Sequence, residues 1–219
     1  PMQSAVERVD EYIEFTLYGI KNDTAKPPFK SLQLPEPNNG IRMTLYYYNQ
    51  SHFPYNYTEA DECGTAGGLN YNWCMTEAQA NATYRGFNYP HQIASYYSMY
   101  RTARNHDKLK TRMSWQWYLE RAANTTLRLP PAHIGYMDGT VFREVLRSVL
   151  EENATANGAR SRNDDPADDL SADGAAGNLW NELGTKLLAG QASRAKYWST
   201  AMWPYGSEFS YDTTGQEEV

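Results

Sequence analysis

From Pro90 onward, apolar and aromatic side chains return every three or four residues in four separate runs. Ile93, Tyr96, Tyr97 and Tyr100 stand at i, i+3, i+4 and i+7; Trp115, Tyr118, Leu119 and Ala122 repeat that spacing; Phe142, Val145, Leu146, Val149 and Leu150 form a third run, and Leu179, Trp180, Leu183 and Leu187 a fourth. A period near 3.6 gathers each set on one helix face, and such a face is stable only against another apolar surface. Four amphipathic helices with short connections pack as antiparallel hairpins, so the expected fold is mainly α. Asp138 or Thr140 in "DGT" can cap the third helix, and Thr214 with Glu217 has capping-box spacing for a fifth beginning at "DTTGQEEV".

The first sixty residues follow a different period. In "YIEFTLYGI", Ile13, Phe15 and Leu17 alternate with Glu14, Thr16 and Tyr18, and "IRMTLYYYN" alternates Ile41, Met43, Leu45 and Tyr47 in the same way. Alternation of this kind predicts strands, and the Pro- and Asn-rich "KPPFKSLQLPEPNNG" between them reads as turns. The expected organisation is therefore α+β overall. Residues 1–60 form a β-rich segment, the end of a preceding β domain, and residues 61–219 form the helical part. Within the latter, residues 154–178 are low-complexity Ala, Asp, Gly, Asn and Arg without periodicity, and read as a disordered insertion.

A net charge of −6 argues against nucleic acid, because phosphate is not attracted to an acidic surface, and no stretch is apolar enough for a membrane span. The 18 Tyr and 6 Trp supply flat apolar faces with polar edges, which suit sugar rings. Asn-x-Ser/Thr sequons occur at Asn22, Asn49, Asn56, Asn81, Asn124 and Asn153, where about two would arise by chance. That excess points to a secreted, extracellular glycoprotein. Cys63 and Cys74 bracket a short Gly-rich loop that one disulfide would close in an oxidising compartment. No signal peptide is present, and the chain reads as a piece of a longer polypeptide, the remainder of which would be its first partner.

"YRGFNYPHQIASYYSMYRTARN", "WQWYLERAANTT", "GYMDGTVFREVL" and "YGSEFSYDTTGQEEV" together resemble a largely fungal family of secreted proteins of unknown function, grouped with the six-hairpin glycosidase superfamily. The resemblance implies an (α/α) toroid in which helical hairpins circle a central cleft. Five helices cannot close a ring that needs twelve, so the chain would be an arc of it.

Two regions carry candidate chemistry. In "NYPH", Pro90 suits a first helical position with Tyr89 as a weak cap, leaving open amides at a helix mouth beside Asn88 and His91, which suit hydrogen bonds to sugar hydroxyls. In "GSEFSYD", an extended backbone would turn Glu208, Ser210 and Asp212 to one side. Glycoside hydrolysis needs two carboxyls about 5 Å apart for retention or about 6.5–9.5 Å for inversion. Glu208 and Asp212 would have Cα atoms roughly 13 Å apart, so each needs a partner elsewhere, such as Asp138. Glu208 is the candidate acid. Trp115 shares the stripe of Tyr118, while Trp117, about 200° around the helix, and Trp203 are candidate sugar platforms.

The leading expectation is a secreted glycoside hydrolase acting on a glycan through paired carboxylates. A polysaccharide lyase using Asn88, His91 and Tyr89, and a glycan-binding module without catalysis, are the alternatives. No HExxH, CxxC, GxSxG or phosphate-binding Gly-rich loop is present, so no metal and no cofactor is expected.

Overall fold

The computed structural model describes residues 2–19, 31–47, 76–130, 139–160 and 172–201. The described part is mainly helical. Helix α1, Met2–Glu11, runs without a break into a π-helical segment, Tyr12–Leu17. A short α2, Glu77–Asn81, precedes α3, Asn88–Asn105, α4, Trp115–Leu127, α5, Gly139–Arg160, and α6, Ala172–Thr200.

The four periodic runs lie on α3 to α6. On each, residues of the stripe are buried: Ile93 and Tyr96, Tyr118 and Leu119, Phe142 and Val145, Trp180 and Leu183. Burying one such side chain contributes about 1.5–3 kcal/mol, and together they form one continuous core with Ile13, Leu17 and Ile41.

Helices α3 and α4 form one hairpin and α5 and α6 another. Tyr100 meets Trp115 and Tyr96 meets Trp117, so α3 and α4 run antiparallel. Gln191 donates to the Phe142 carbonyl at 2.8 Å, whereas a Cβ on Gly184 would stand 3.0 Å from Leu150, so α5 and α6 are antiparallel as well. The hairpins lie side by side. Helix α3 contacts α5, α4 contacts both α5 and α6, and α3 and α6 make no contact among the described residues. A closed four-helix bundle would join its first and last helices; here α3 and α5 form one layer and α4 and α6 the other. Across the α4/α6 layer, Trp115 stacks on Trp180 with ring centroids 6.1 Å apart.

The strand expectation fails for the described part of residues 1–60. "YIEFTL" is π-helical, and its buried residues are Ile13, Glu14 and Leu17, while Phe15 is 48% exposed. Positions 13 and 17 share a face in a helix as well as in a strand, so alternation alone could not separate the two; the exposed Phe15 and the buried Glu14 do. Residues 31–47 contain a single antiparallel bridge, Gln33 to Ile41, among the described residues. Residues 31–47, which include the described part of the second alternating stretch, therefore form an irregular loop, tied to the π-helical end by Leu32 N–H to Thr16 O and Gln33 N–H to Leu17 O. Gly40 is required at its turn. A Cβ there would lie 2.7 Å from Asn38 Oδ1 and 2.9 Å from Thr83 Cγ2.

Two further boundaries move. Helix α5 runs to Arg160 and α6 begins at Ala172, so both extend into the span 154–178 read as a disordered insertion, whose middle lies outside the described residues. Helix α3 begins at Asn88, with Phe87 rather than Tyr89 before it and no side-chain cap. Pro90 is tolerated two residues further in because N–H groups of the first turn have no intrahelical acceptor to lose.

Candidate functional site

Among the described residues three carboxylates are buried, Asp10, Glu14 and Glu152. The first two are absorbed in docking α1. Asp10 accepts the Tyr118 hydroxyl and the Arg112 N–H, and Glu14 pairs with the Arg112 guanidinium. Glu152 differs in lining a cleft of about 330 Å³ between α3 and α5.

The cleft follows from spacing on two helices. Tyr97, Tyr100 and Arg104 stand at i, i+3 and i+7 on α3, one above another on the side turned to α5. On α5, Ser148 and Glu152 continue the buried face of Val141 and Val145, so polar groups occupy the far end of an apolar stripe. Helices α3 and α5 advance in the same direction here, Tyr97 meeting Ser148 and Tyr100 meeting Glu152.

Glu152 is held from two sides. The Tyr100 hydroxyl donates to its Oε1 at 2.9 Å and Arg104 Nε donates to the same oxygen at 2.8 Å. A charge-assisted bond of this kind is stronger than a neutral one and fixes the carboxylate. Burial, and then the bond to Glu152, push the Tyr100 phenol well above its ordinary value, so it remains a proton donor to the carboxylate. The same bond raises Arg104. The Arg104 guanidinium stands 5.1 Å from the Trp115 ring centroid, so the group rests on the Trp115–Trp180 stack.

Beside this triad the Tyr97 hydroxyl lies 3.1 Å from Ser148 Oγ. Arg147 lines the same cleft and is paired with Glu144, whose charge is the main influence raising that guanidinium. The Tyr97 and Tyr100 rings are 5.7 Å apart and tilted by 34°. The cleft thus offers one fixed carboxylate, hydroxyls of both kinds and three arginines, Arg101 being the third. Such a surface can bind a polyhydroxylated ligand and present a carboxylate to it.

Of the residues expected from sequence, the described ones, Asn88, Tyr89, His91 and Trp117, do not line this cleft. Asn88 Nδ2 donates to the carbonyls of Arg42 and Met43 at 2.8 and 2.9 Å, and Tyr89, buried, accepts from Ile41 N–H and donates to Thr83 O. Both pin loops to the start of α3. His91 is exposed, its ring 6.0 Å from Phe87. Trp117 is half-buried, with Tyr18, Tyr96 and Tyr118 edge-on to it within 6.0 Å and the Arg121 guanidinium 5.8 Å away. Trp115 is half-buried too, so the two tryptophans do not divide into one core and one exposed. Asn81, Asn124 and Asn153 are partly exposed, and Asn81 Oδ1 accepts from Arg42. Glu208, Asp212, Asp138, Trp203, Cys63, Cys74, Asn22, Asn49 and Asn56 lie outside the described residues.

Sequence reasoning missed Glu152, Ser148 and Arg104. The signal was available on α5, where Ser148 and Glu152 fall on the apolar face at i+3 and i+7 from Val145.

Residues 1–163 match a family described as a family of unknown function, DUF5695. The chain belongs to this family. The DUF5695 match extends from α1 through α5, and so includes both walls of the cleft and the glutamate between them. No curated protein and no solved structure matches the chain. No described helix is long and apolar enough to cross a membrane, and no three His, Cys, Asp or Glu side chains among the described residues come together as metal ligands.

Proposed function

We propose that this DUF5695 chain is part of a secreted carbohydrate-active enzyme, a glycoside hydrolase, and that its hairpins are an arc of an (α/α) toroid of the six-hairpin type. The observation that carries the reading is the cleft between the like-oriented helices α3 and α5, where a buried carboxylate is fixed beside tyrosines. Side-by-side hairpins in two layers are the packing that an arc requires. The sequon excess and the two cysteines support an extracellular location.

In this reading Glu152, paired with an arginine, suits the base or nucleophile. The proton donor is a second carboxyl, Glu208 first, then Asp212 or Asp138. One observation favours a lyase as the second reading: the Tyr97 hydroxyl lies against Ser148 in a cleft that Arg147 also lines, and a lyase needs a tyrosine and a cation on one substrate.

The test is a glycan panel with the protein that carries this sequence, reading reducing ends and near-ultraviolet absorbance in the same wells. Hydrolysis gives reducing ends without absorbance, and Glu152→Gln then lowers kcat by about 100-fold or more with the fold intact. Both signals together shift the reading to the lyase. Full activity in Glu152→Gln, or no turnover of any glycan, overturns the enzyme assignment at this cleft.

A further inference from the structure

The three cleft arginines are not equivalent. Arg104 is committed to Glu152, and Arg147 is shared between Glu144 and Glu151. Arg101 has no carboxylate partner among the described residues, yet it lines the same cleft, on the α3 wall between Tyr97 and Arg104. Across from it stand Arg147 and Ser148. Counted with Glu144, the three arginines and the glutamates Glu144, Glu151 and Glu152 balance, so among the described residues Arg101 is the cleft cation that no carboxylate neutralises, in a chain whose net charge is −6. An unpaired guanidinium on an otherwise acidic molecule offers an anion one favourable place. Hydroxyl and amide groups from Ser148, Thr155 and Asn105 complete the lining, and the volume is at the small end for ligand sites.

We propose that the cleft selects an acidic saccharide, and that Arg101 binds the carboxylate of a uronic-acid residue while Arg147 approaches it from α5. The inference rests on the carbohydrate reading above and names the substrate class for the same site. A planar guanidinium matches a carboxylate through two parallel N–H···O bonds, which a neutral sugar cannot form. Arg101 is exposed, so its replacement leaves the helix packing intact.

Calorimetric titration of the full chain with matched oligosaccharides tests this, using neutral hexosides, the corresponding uronides and sulfated hexosides. The uronides are expected to bind about tenfold or more tightly than the neutral set, with a preference that shrinks as salt is raised. Arg101→Gln should abolish the preference, read as the ratio of uronide to neutral affinity, and Arg101→Lys should restore part of it. An undiminished preference in Arg101→Gln, or equal binding of neutral and acidic sugars by the parent, overturns the assignment and leaves the carbohydrate reading standing. A stronger response to sulfated sugars also overturns it, because it makes sulfate the anion. Binding and turnover of no saccharide at all sinks both.

Discussion

Gln33 shows how much one side chain can organise when every polar atom is used. Its Nε2 donates to the Asn39 carbonyl at 3.0 Å and to Thr125 Oγ1 at 2.8 Å, and its Oε1 accepts the Tyr96 hydroxyl. It joins the loop, α3 and α4 in a site without water access, where an unmatched polar atom costs about 1–3 kcal/mol. Gln33→Leu strands the Tyr96 hydroxyl and takes a donor from the Asn39 carbonyl, while the Thr125 hydroxyl keeps its bond to the Arg121 carbonyl, and should lower stability by about 2–4 kcal/mol in urea unfolding. A change below about 0.5 kcal/mol would remove this residue from the core network. None of this was legible in the sequence, where Gln33 stands in turn-like "SLQLPEP". The cleft was half legible: the tyrosine run was visible, but periodicity cannot say that Tyr96 turns to Gln33 while Tyr97 and Tyr100 turn to α5.

At the scale of elements, α3 to α6 were readable because long stripes with one period leave little choice of structure. The first segment was not, because a six-residue run of alternating character satisfies both a strand and a helical turn at positions 13 and 17. Phe15→Ser and Leu17→Ser separate the two physically. A helical segment leaves Phe15 in solvent and Leu17 with no exposure at all, so the first change should cost under about 1 kcal/mol and the second more than about 3 kcal/mol. Equal large losses in thermal melts would return the segment to a strand with both side chains inside.

On the scale of the whole molecule, the tyrosines set an upper pH limit. Tyr12, Tyr89, Tyr96, Tyr100 and Tyr118 are all raised above the ordinary value of 10.0, with burial the largest cause in each. The folded state holds these protons more tightly than the unfolded chain, so their contribution is complete below about pH 10 and declines as pH rises through the higher folded values. Stability should be level with respect to these groups up to about pH 10 and then fall cooperatively. Tyrosinate absorbance followed with far-ultraviolet circular dichroism should show these five tyrosines ionising only as helix is lost. A single smooth titration of all of them with the helices intact would contradict the buried placement. The side-by-side layering has a mechanical consequence as well. Each wall of the cleft belongs to a different hairpin, and the two hairpins already share one core. Whatever grips both walls acts as a staple across that seam, adding its binding energy to the coupling that holds the hairpins together.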